Sequence, residues 1–222
     1  MRLFLLGCTG FIGRELIPRL LNSGHHLTVI SRNVQPHSLR GLSSKQLQHL
    51  QIDPSKPINW ENTELLEALS KANGVINLAG EPITEKRWSD QQCEIITNSR
   101  LSTTASLIKT MSGLQKVPGI LVNASAIGFY GTSQDSFFTE NSSCGDDFLS
   151  NLCFQWEHLA MQKPNTTRLV LLRIGIVLEA DGGALGKMLP VFRSGFGGHI
   201  GNGKQWMSWI HRTDLCNIIE TS

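Results

Sequence analysis

Met1-Arg-Leu-Phe-Leu-Leu-Gly7-Cys-Thr-Gly10-Phe-Ile-Gly13-Arg-Glu-Leu-Ile-Pro18-Arg-Leu-Leu21 opens the chain and decides its fold. An apolar run of strand length, a turn with glycines three apart and an amphipathic segment follow one another as in a βα unit that seats a dinucleotide pyrophosphate. Gly7 lets the chain turn sharply off the strand, Gly10 lets backbone N–H groups approach phosphate oxygens with no Cβ in the way, and Gly13 lets the helix lie close on the sheet. The helix N-terminus holds about half a positive charge against the phosphates. The spacing is G-x-x-G-x-x-G rather than G-x-G-x-x-G, and a glycine-rich turn with no ligand would carry the same residues. Context favours the nucleotide, because Phe11, Ile12, Leu16, Ile17, Leu20 and Leu21 recur at helical spacing directly after the strand. Pro18 inside that pattern predicts a bend near residue 14.

The 222 residues suffice for one α/β domain and part of a second. With 40% apolar and 17% charged residues the chain has the composition of a soluble globular protein rather than a disordered one. A net charge of +2 with no basic run implies no nucleic-acid partner. The five cysteines (Cys8, Cys93, Cys144, Cys153, Cys216) are scattered and never form C-x-x-C, which predicts reduced thiols in a cytoplasmic compartment and neither a disulfide frame nor a metal site. The apolar run before Cys8 is too short for a secretion signal, and the uncharged residues 117–134 are interrupted by Pro118, Asn123 and several Gly and Ser, so no membrane span is expected.

Strand patterns follow at residues 26–31, 47–52, 74–80, 119–125 and 169–174. Helical patterns stand between them at 61–72, from Ser89 to Met111 and from Asp147 to Ala160. Ser89 and Gln92 match a capping box, and Phe148, Leu149, Leu152, Cys153, Trp156, Leu159 and Ala160 are expected on one face of the last helix. This alternation predicts a doubly wound parallel sheet with helices on both faces. From Gly182 onward the chain differs: residues 195–208 carry five glycines and read as loop with short strand pieces, and a helix starts near Thr213. The expectation is a nucleotide-binding domain over 1–178 and, over 179–222, the start of a small, incomplete C-terminal lobe that would select the substrate.

At the end of the second strand an acid would hydrogen-bond the ribose 2′-OH, whereas an arginine accommodates a 2′-phosphate. Ser31-Arg32-Asn33 stands there with no acid before Asp53, which favours NADP(H) over NAD(H); a solvated strand-end cation is the plainer alternative.

Gly7-x-x-Gly10-Phe-Ile-Gly13, Ser31-Arg32, Asn77-Leu-Ala-Gly80, Asn98-Ser-Arg100, Ser125-Ala-Ile-Gly-Phe-Tyr-Gly131, Trp156-Glu157 and Trp209-Ile-His-Arg-Thr-Asp214 fall in order over nearly the whole chain. Jointly they resemble the extended and atypical short-chain dehydrogenase/reductase superfamily, in its NAD-dependent epimerase/dehydratase-like, or nucleoside-diphosphate-sugar epimerase-like, branch. The resemblance implies a Rossmann-like domain. It also implies that Gly7, Thr9, Gly10, Phe11, Ile12 and Gly13 contact the pyrophosphate and that Ser31 and Arg32 meet the 2′-phosphate. Leu78, Ala79 and Gly80 would flank the adenosine and the nicotinamide-side ribose, Glu94 and Arg100 would reach the cofactor from the long helix, and Val177 would offer its backbone near the nicotinamide. Homodimerisation through the helices at 90–111 and 147–160 is implied by analogy.

Enzymes of this superfamily use a Ser with Y-x-x-x-K. The single tyrosine, Tyr130, is followed four residues later by Gln134, and with Glu157 as anchor the Tyr and Lys positions fall on Leu149 and Cys153, neither of which can serve. Cys153, on the apolar face, reads as a core thiol. Ser125 at the end of the fifth strand matches the family's hydroxyl, and Tyr130, five residues on, is the one phenol available as acid or base. His199 and His211 are weaker substitutes, and Asp214 is expected to stabilise a helix N-terminus. Two functions fit these residues. The first is an NADP(H)-dependent oxidoreductase or epimerase of a small polar or nucleotide-sugar-like substrate, with Ser125 orienting the reacting oxygen and Tyr130 supplying the proton. The second is an NADP(H)-binding redox-sensing or scaffold protein without catalysis.

Overall fold

A computed structural model describes residues 1–34, 36–42, 44–199 and 201–222. Strands β1 (Arg2–Leu6), β2 (His26–Ser31), β3 (Leu47–Gln51), β4 (Gly74–Asn77), β5 (Ile120–Ala126) and β6 (Arg168–Ile174) form one parallel sheet in the order β3-β2-β1-β4-β5-β6. Helices α1 (Gly13–Asn22), α2 (Thr63–Lys71), α3 (Asp90–Ser112) and α4 (Phe148–Met161) lie between them. The strand order reverses beside β1, so the carboxyl ends of β1 and β4 border the crevice where ligands of open α/β sheets bind. The chain is a Rossmann-like α/β protein, as its βα rhythm predicts.

Alternation along the strands builds two apolar layers. Phe4, Leu6, Val75 and Leu121 face Leu65 and Leu69 of α2 and Leu107 and Met111 of α3. On the other face, Leu5, Val29, Ile76 and Val122 meet Leu16, Ile17 and Leu20 of α1 together with Leu215 and Ile219 of α6 (Arg212–Thr221). Each such fully buried side chain contributes about 1.5–3 kcal/mol by leaving water. Pro18 lies inside α1, which continues through it as one helix.

The helical pattern at 61–72 resolves into a 3-10 turn, Pro57–Glu61, and α2, because Asn62 caps the helix through its side chain (Leu65 N donates to Oδ1, 3.0 Å). Ser89 caps α3 as the sequence suggests, accepting from Gln92 N at 3.2 Å; the Gln92 side chain stays buried without returning the bond. On α4 the expected face is corrected: Phe148 is exposed, and Glu157 is buried among Leu152, Cys153, Trp156 and Ala160.

Beyond β6 the chain forms β7 (Ile176–Glu179), α5 (Gly183–Arg193) and β8 (Trp209–His211), with β7 and β8 paired in a second, parallel two-stranded sheet. The boundary expected after residue 178 falls inside β7. No element is predicted from sequence between Gly182 and Gly195, where α5 lies; α5 has no buried residue, and Val191 and Phe192 are exposed, while the described residues from 195 to 208 are loop, as expected. Ala184, Leu185, Met188 and Leu189 recur at helical spacing and are half-buried, so the face α5 turns inward is only partly covered. Among the described residues no helix is long and apolar enough to cross a membrane.

Candidate functional site

The three glycines of the first turn meet different surroundings. Gly7 has φ +70°, and a Cβ there would stand 2.4 Å from the backbone of Leu78 and Ala79. At Gly13 a Cβ would lie 1.5 Å from the Cys8 carbonyl oxygen. Both positions need glycine for the protein's own packing. A Cβ at Gly10, however, would meet nothing closer than the Gly7 oxygen at 4.0 Å. Packing therefore leaves Gly10 open on its outer side, directly before the N-terminus of α1, where no side chain caps the helix. That space and those N–H groups fit a phosphate. Thr9, Phe11 and Ile12 complete the turn; the Phe11 ring lies against Gly182 and Gly183, with the Arg212 guanidinium 4.8 Å from its centroid.

Ser31 and Arg32 end β2 and separate in role. The Ser31 hydroxyl is buried, donates to the Asn33 carbonyl at 3.0 Å and lies 2.8 Å from His49 Nε2 on β3. Arg32 extends into solvent and pairs with Glu81 at 3.4 Å. The acid missing from β2 is thus supplied from the segment after β4, and Glu81 also draws Lys86 to 3.6 Å. Leu78, Ala79 and Gly80 follow β4 beside the glycine turn: Leu78 N donates to the Leu6 carbonyl and Ala79 N to the Asn77 side chain. Arg100 reaches this segment and Glu94 does not. Six residues apart on α3, the two point about 120° from each other; Glu94 is exposed, whereas the Arg100 guanidinium lies against Gly80.

Ser125 and Tyr130 come together through two residues that sequence reasoning left out of the site. Ser125 Oγ donates to Glu157 Oε1 at 2.5 Å, and Arg173 holds the same carboxylate with two bonds of 2.9 Å. Arg173 Nη1 then donates to Tyr130 Oη at 2.9 Å and to the Glu140 carbonyl at 3.1 Å. The guanidinium lies 3.6 Å over the Phe129 ring, and Phe138 stacks on Tyr130 with centroids 5.2 Å apart. The Glu157 carboxylate holds the Arg173 charge firmly, raising its pKa above an already high value. A lone arginine in the apolar run Leu169-Val-Leu-Leu-Arg173-Ile is the signal that marks it. Cys153 is a buried thiol whose ionisation burial pushes up.

Beneath the site a second polar chain ties four elements together: Asn77 Nδ2 donates to Asn123 Oδ1 (2.7 Å) and Thr104 Oγ1 (3.0 Å), and Trp156 Nε1 donates to the same Thr104 oxygen (2.8 Å). Both asparagines are wholly buried, visible in the sequence as amides interrupting apolar strands. Val177 lies in β7 opposite Ile210, with its carbonyl toward Gly183. His211 caps α6 and pairs with Glu179 at 3.2 Å, His199 bonds the Gly201 carbonyl, and Asp214 sits in the first turn of α6. Arg212 locks this region to the glycine turn by bonding Asp181 (2.7 Å) and Glu15 of α1 (3.1 Å).

Residues 3–221 match the model of the NAD dependent epimerase/dehydratase family. The epimerase family protein SDR39U1 homolog, chloroplastic, of Arabidopsis thaliana is 39% identical over 99% of this chain and 61% of its own length. The human epimerase family protein SDR39U1 is 35% identical over 99% of the chain and 69% of its length. This chain therefore spans less than two thirds of the plant relative. A crystal structure of the human protein with NADPH superposes with a TM-score of 0.82 at 35% identity, over 99% of this chain and 69% of that one. A nucleoside-diphosphate sugar epimerase from Corynebacterium glutamicum superposes at 0.76 with 30% identity, over 99% of this chain and 43% of that one.

Proposed function

This chain belongs to the NAD dependent epimerase/dehydratase family, and on that premise we propose that it binds NADP(H) and carries out oxidoreduction or epimerisation of a small polar or nucleotide-sugar-like substrate. The observation that carries this is the glycine turn: packing demands Gly7 and Gly13, and Gly10 is left open where a phosphate would meet the uncapped helix. The NADPH named in the human structure at 35% identity supports the choice of cofactor. When bound, NADP(H) supplies or accepts a hydride at a substrate carbon. The residues of α1 and its turn hold the pyrophosphate, and Arg32 exchanges its solvent-exposed pair with Glu81 for the 2′-phosphate. Tyr130 accepts a hydrogen bond from Arg173, which leaves its own O–H free to give a proton to the substrate oxygen. Arg173, alongside, offsets the phenolate charge that results. Ser125, its proton directed at Glu157, keeps lone pairs with which to accept from a substrate hydroxyl.

Titration of NADPH and NADH into the wild type and Arg32→Ala tests the cofactor assignment. Loss of one charge-assisted contact of an exposed arginine is expected to weaken NADPH by on the order of tenfold, about 1.4 kcal/mol, and to leave NADH unchanged. Equal losses would remove Arg32 from the selectivity. For catalysis, the protein in its longest natural form should oxidise NADPH with a carbonyl or keto-sugar substrate, and Tyr130→Phe should abolish that.

One observation favours the non-catalytic alternative: Ser125 and Tyr130 are both bound into the Glu157–Arg173 cluster. Tight NADPH binding without turnover across a broad substrate panel would select it.

A further inference from the structure

The ion pair between Arg32 and Glu81 crosses the crevice. Arg32 follows β2 and Glu81 follows β4, and β1 with its glycine turn lies between those two strands, so the 3.4 Å contact spans the carboxyl end of β1. The two partners are held unequally. The Arg32 side chain is 62% exposed and that of Glu81 only 13%. Glu81 is also tied through its backbone, whose N–H donates to Ser99 Oγ of α3 at 2.9 Å. Arg32 meets one carboxylate oxygen and Lys86 lies 3.6 Å from the other, while the Arg100 charge bears on the same group at longer range. The carboxylate is thus a fixed part of the crevice wall, and the arginine is the partner that can turn away.

A fixed acid at that place matters to the cofactor. In dinucleotide sites an acid at the end of the second strand accepts from the ribose 2′-OH, and an arginine there takes a 2′-phosphate instead. Here β2 ends in Ser31-Arg32, and an acid comes from the opposite bank to face the same arginine. A 2′-phosphate that reaches Arg32 has to draw it off Glu81 and then stand beside a like charge. A free 2′-OH brings no charge and leaves the pair in place. Exposed ion pairs are weak, so the competition amounts to a few-fold in affinity rather than a block.

We propose that Glu81 is a specificity-determining residue for the dinucleotide, one that competes with the 2′-phosphate for Arg32 and holds the preference for NADPH over NADH below what Arg32 alone would give. This rests on the dinucleotide lying as described under Proposed function. The selectivity then belongs to the pair: the guanidinium favours the phosphorylated ribose, and the carboxylate opposes it from across the turn.

The test is calorimetric titration of NADPH, NADH, adenosine 2′,5′-bisphosphate and adenosine 5′-monophosphate into the full chain as wild type, Glu81→Gln and the double variant Glu81→Gln with Arg32→Ala, each first checked for a cooperative melt. Glu81→Gln is expected to tighten NADPH and the bisphosphate on the order of fivefold at low salt, and to leave NADH and the monophosphate no tighter. The sign is opposite to that of Arg32→Ala. In the double variant the gain should shrink, because the competition acts through the guanidinium. Weaker NADPH binding in Glu81→Gln, an equal change for NADPH and NADH, or a gain that survives in full without Arg32 would each overturn the proposal. Should Glu81→Gln fail to fold, Glu81→Asp decides, since it draws the carboxylate back by one methylene: a higher NADPH preference supports the competition, and an unchanged or lower one overturns it. A wild type that binds neither nucleotide refutes the dinucleotide placement itself, whereas one that binds NADPH with a selectivity indifferent to Glu81 refutes this inference alone.

Discussion

Glu157 is 2% exposed and gives both carboxylate oxygens to Arg173, so neutralising it strands a guanidinium at the edge of the core. Breaking one side of such a pair costs about 3 kcal/mol or more. Glu157→Gln should therefore lower chemical-denaturation stability by that order. It should also release Tyr130, the sole tyrosine, whose resonances in a tyrosine-labelled NMR spectrum should broaden or shift. An unchanged melting profile would mean that the cluster does not stabilise the fold. The sequence points to Ser125 and Tyr130 because they lie five residues apart on one strand and its exit. Their connection runs through residues 32 and 48 positions away from Ser125, at Glu157 and Arg173, a distance that spacing cannot bridge. The absent Y-x-x-x-K is thus only part of the account, since a cation does reach the phenol, from β6 instead of from α4.

Among elements, the turn between β1 and α1 offers the sharpest contrast. Gly13→Ala drives a methyl into the Cys8 carbonyl and should cost at least about 3 kcal/mol, observed as a large fall in denaturation midpoint or failure to fold. Gly10→Ala meets open space and should leave stability within about 0.5 kcal/mol while weakening NADPH on the order of tenfold. If both variants keep full nucleotide affinity, the turn does not grip phosphate. The strands and α1 to α4 are legible in sequence because each buries a face against the sheet and so repeats its apolar residues at period two or 3.6. Helix α5 escapes notice for another reason: Gly183, Gly186 and Pro190 read as helix breakers and mask the helical spacing of Ala184, Leu185, Met188 and Leu189. The buried Glu157 escapes too, because a carboxylate on an apolar face reads as a break in the pattern until its arginine is known.

For the molecule as a whole, Cys8 of the glycine turn and Cys216 of α6 join the first and last elements in one core, both fully buried. Burial pushes Cys216 from the usual 9.0 to about 11, with the Glu15 charge adding to it, and raises Cys8 further, with Cys216 adding to it. A thiol whose folded pKa is raised holds its proton while the unfolded chain releases it. Stability is therefore intact below about pH 9 and lost as pH rises through about 11, at no more than about 1.4 kcal/mol per pH unit for each thiol. The denaturation midpoint should fall over that window, and less steeply in Cys216→Ala; parallel curves would place the alkaline loss elsewhere. One further feature bears on how such a molecule diversifies. A Cβ at Gly145 would come within 2.8 Å of the Gly131 Cα, so the segment between them leaves and re-enters the body at nearly a single point. Within it Phe138, stacked on Tyr130, and Glu140, whose carbonyl accepts from Arg173, hold the segment to the cluster below. Insertions between 132 and 136 can accumulate, or be engineered, while those two holds stay in place and the sheet goes on folding unchanged.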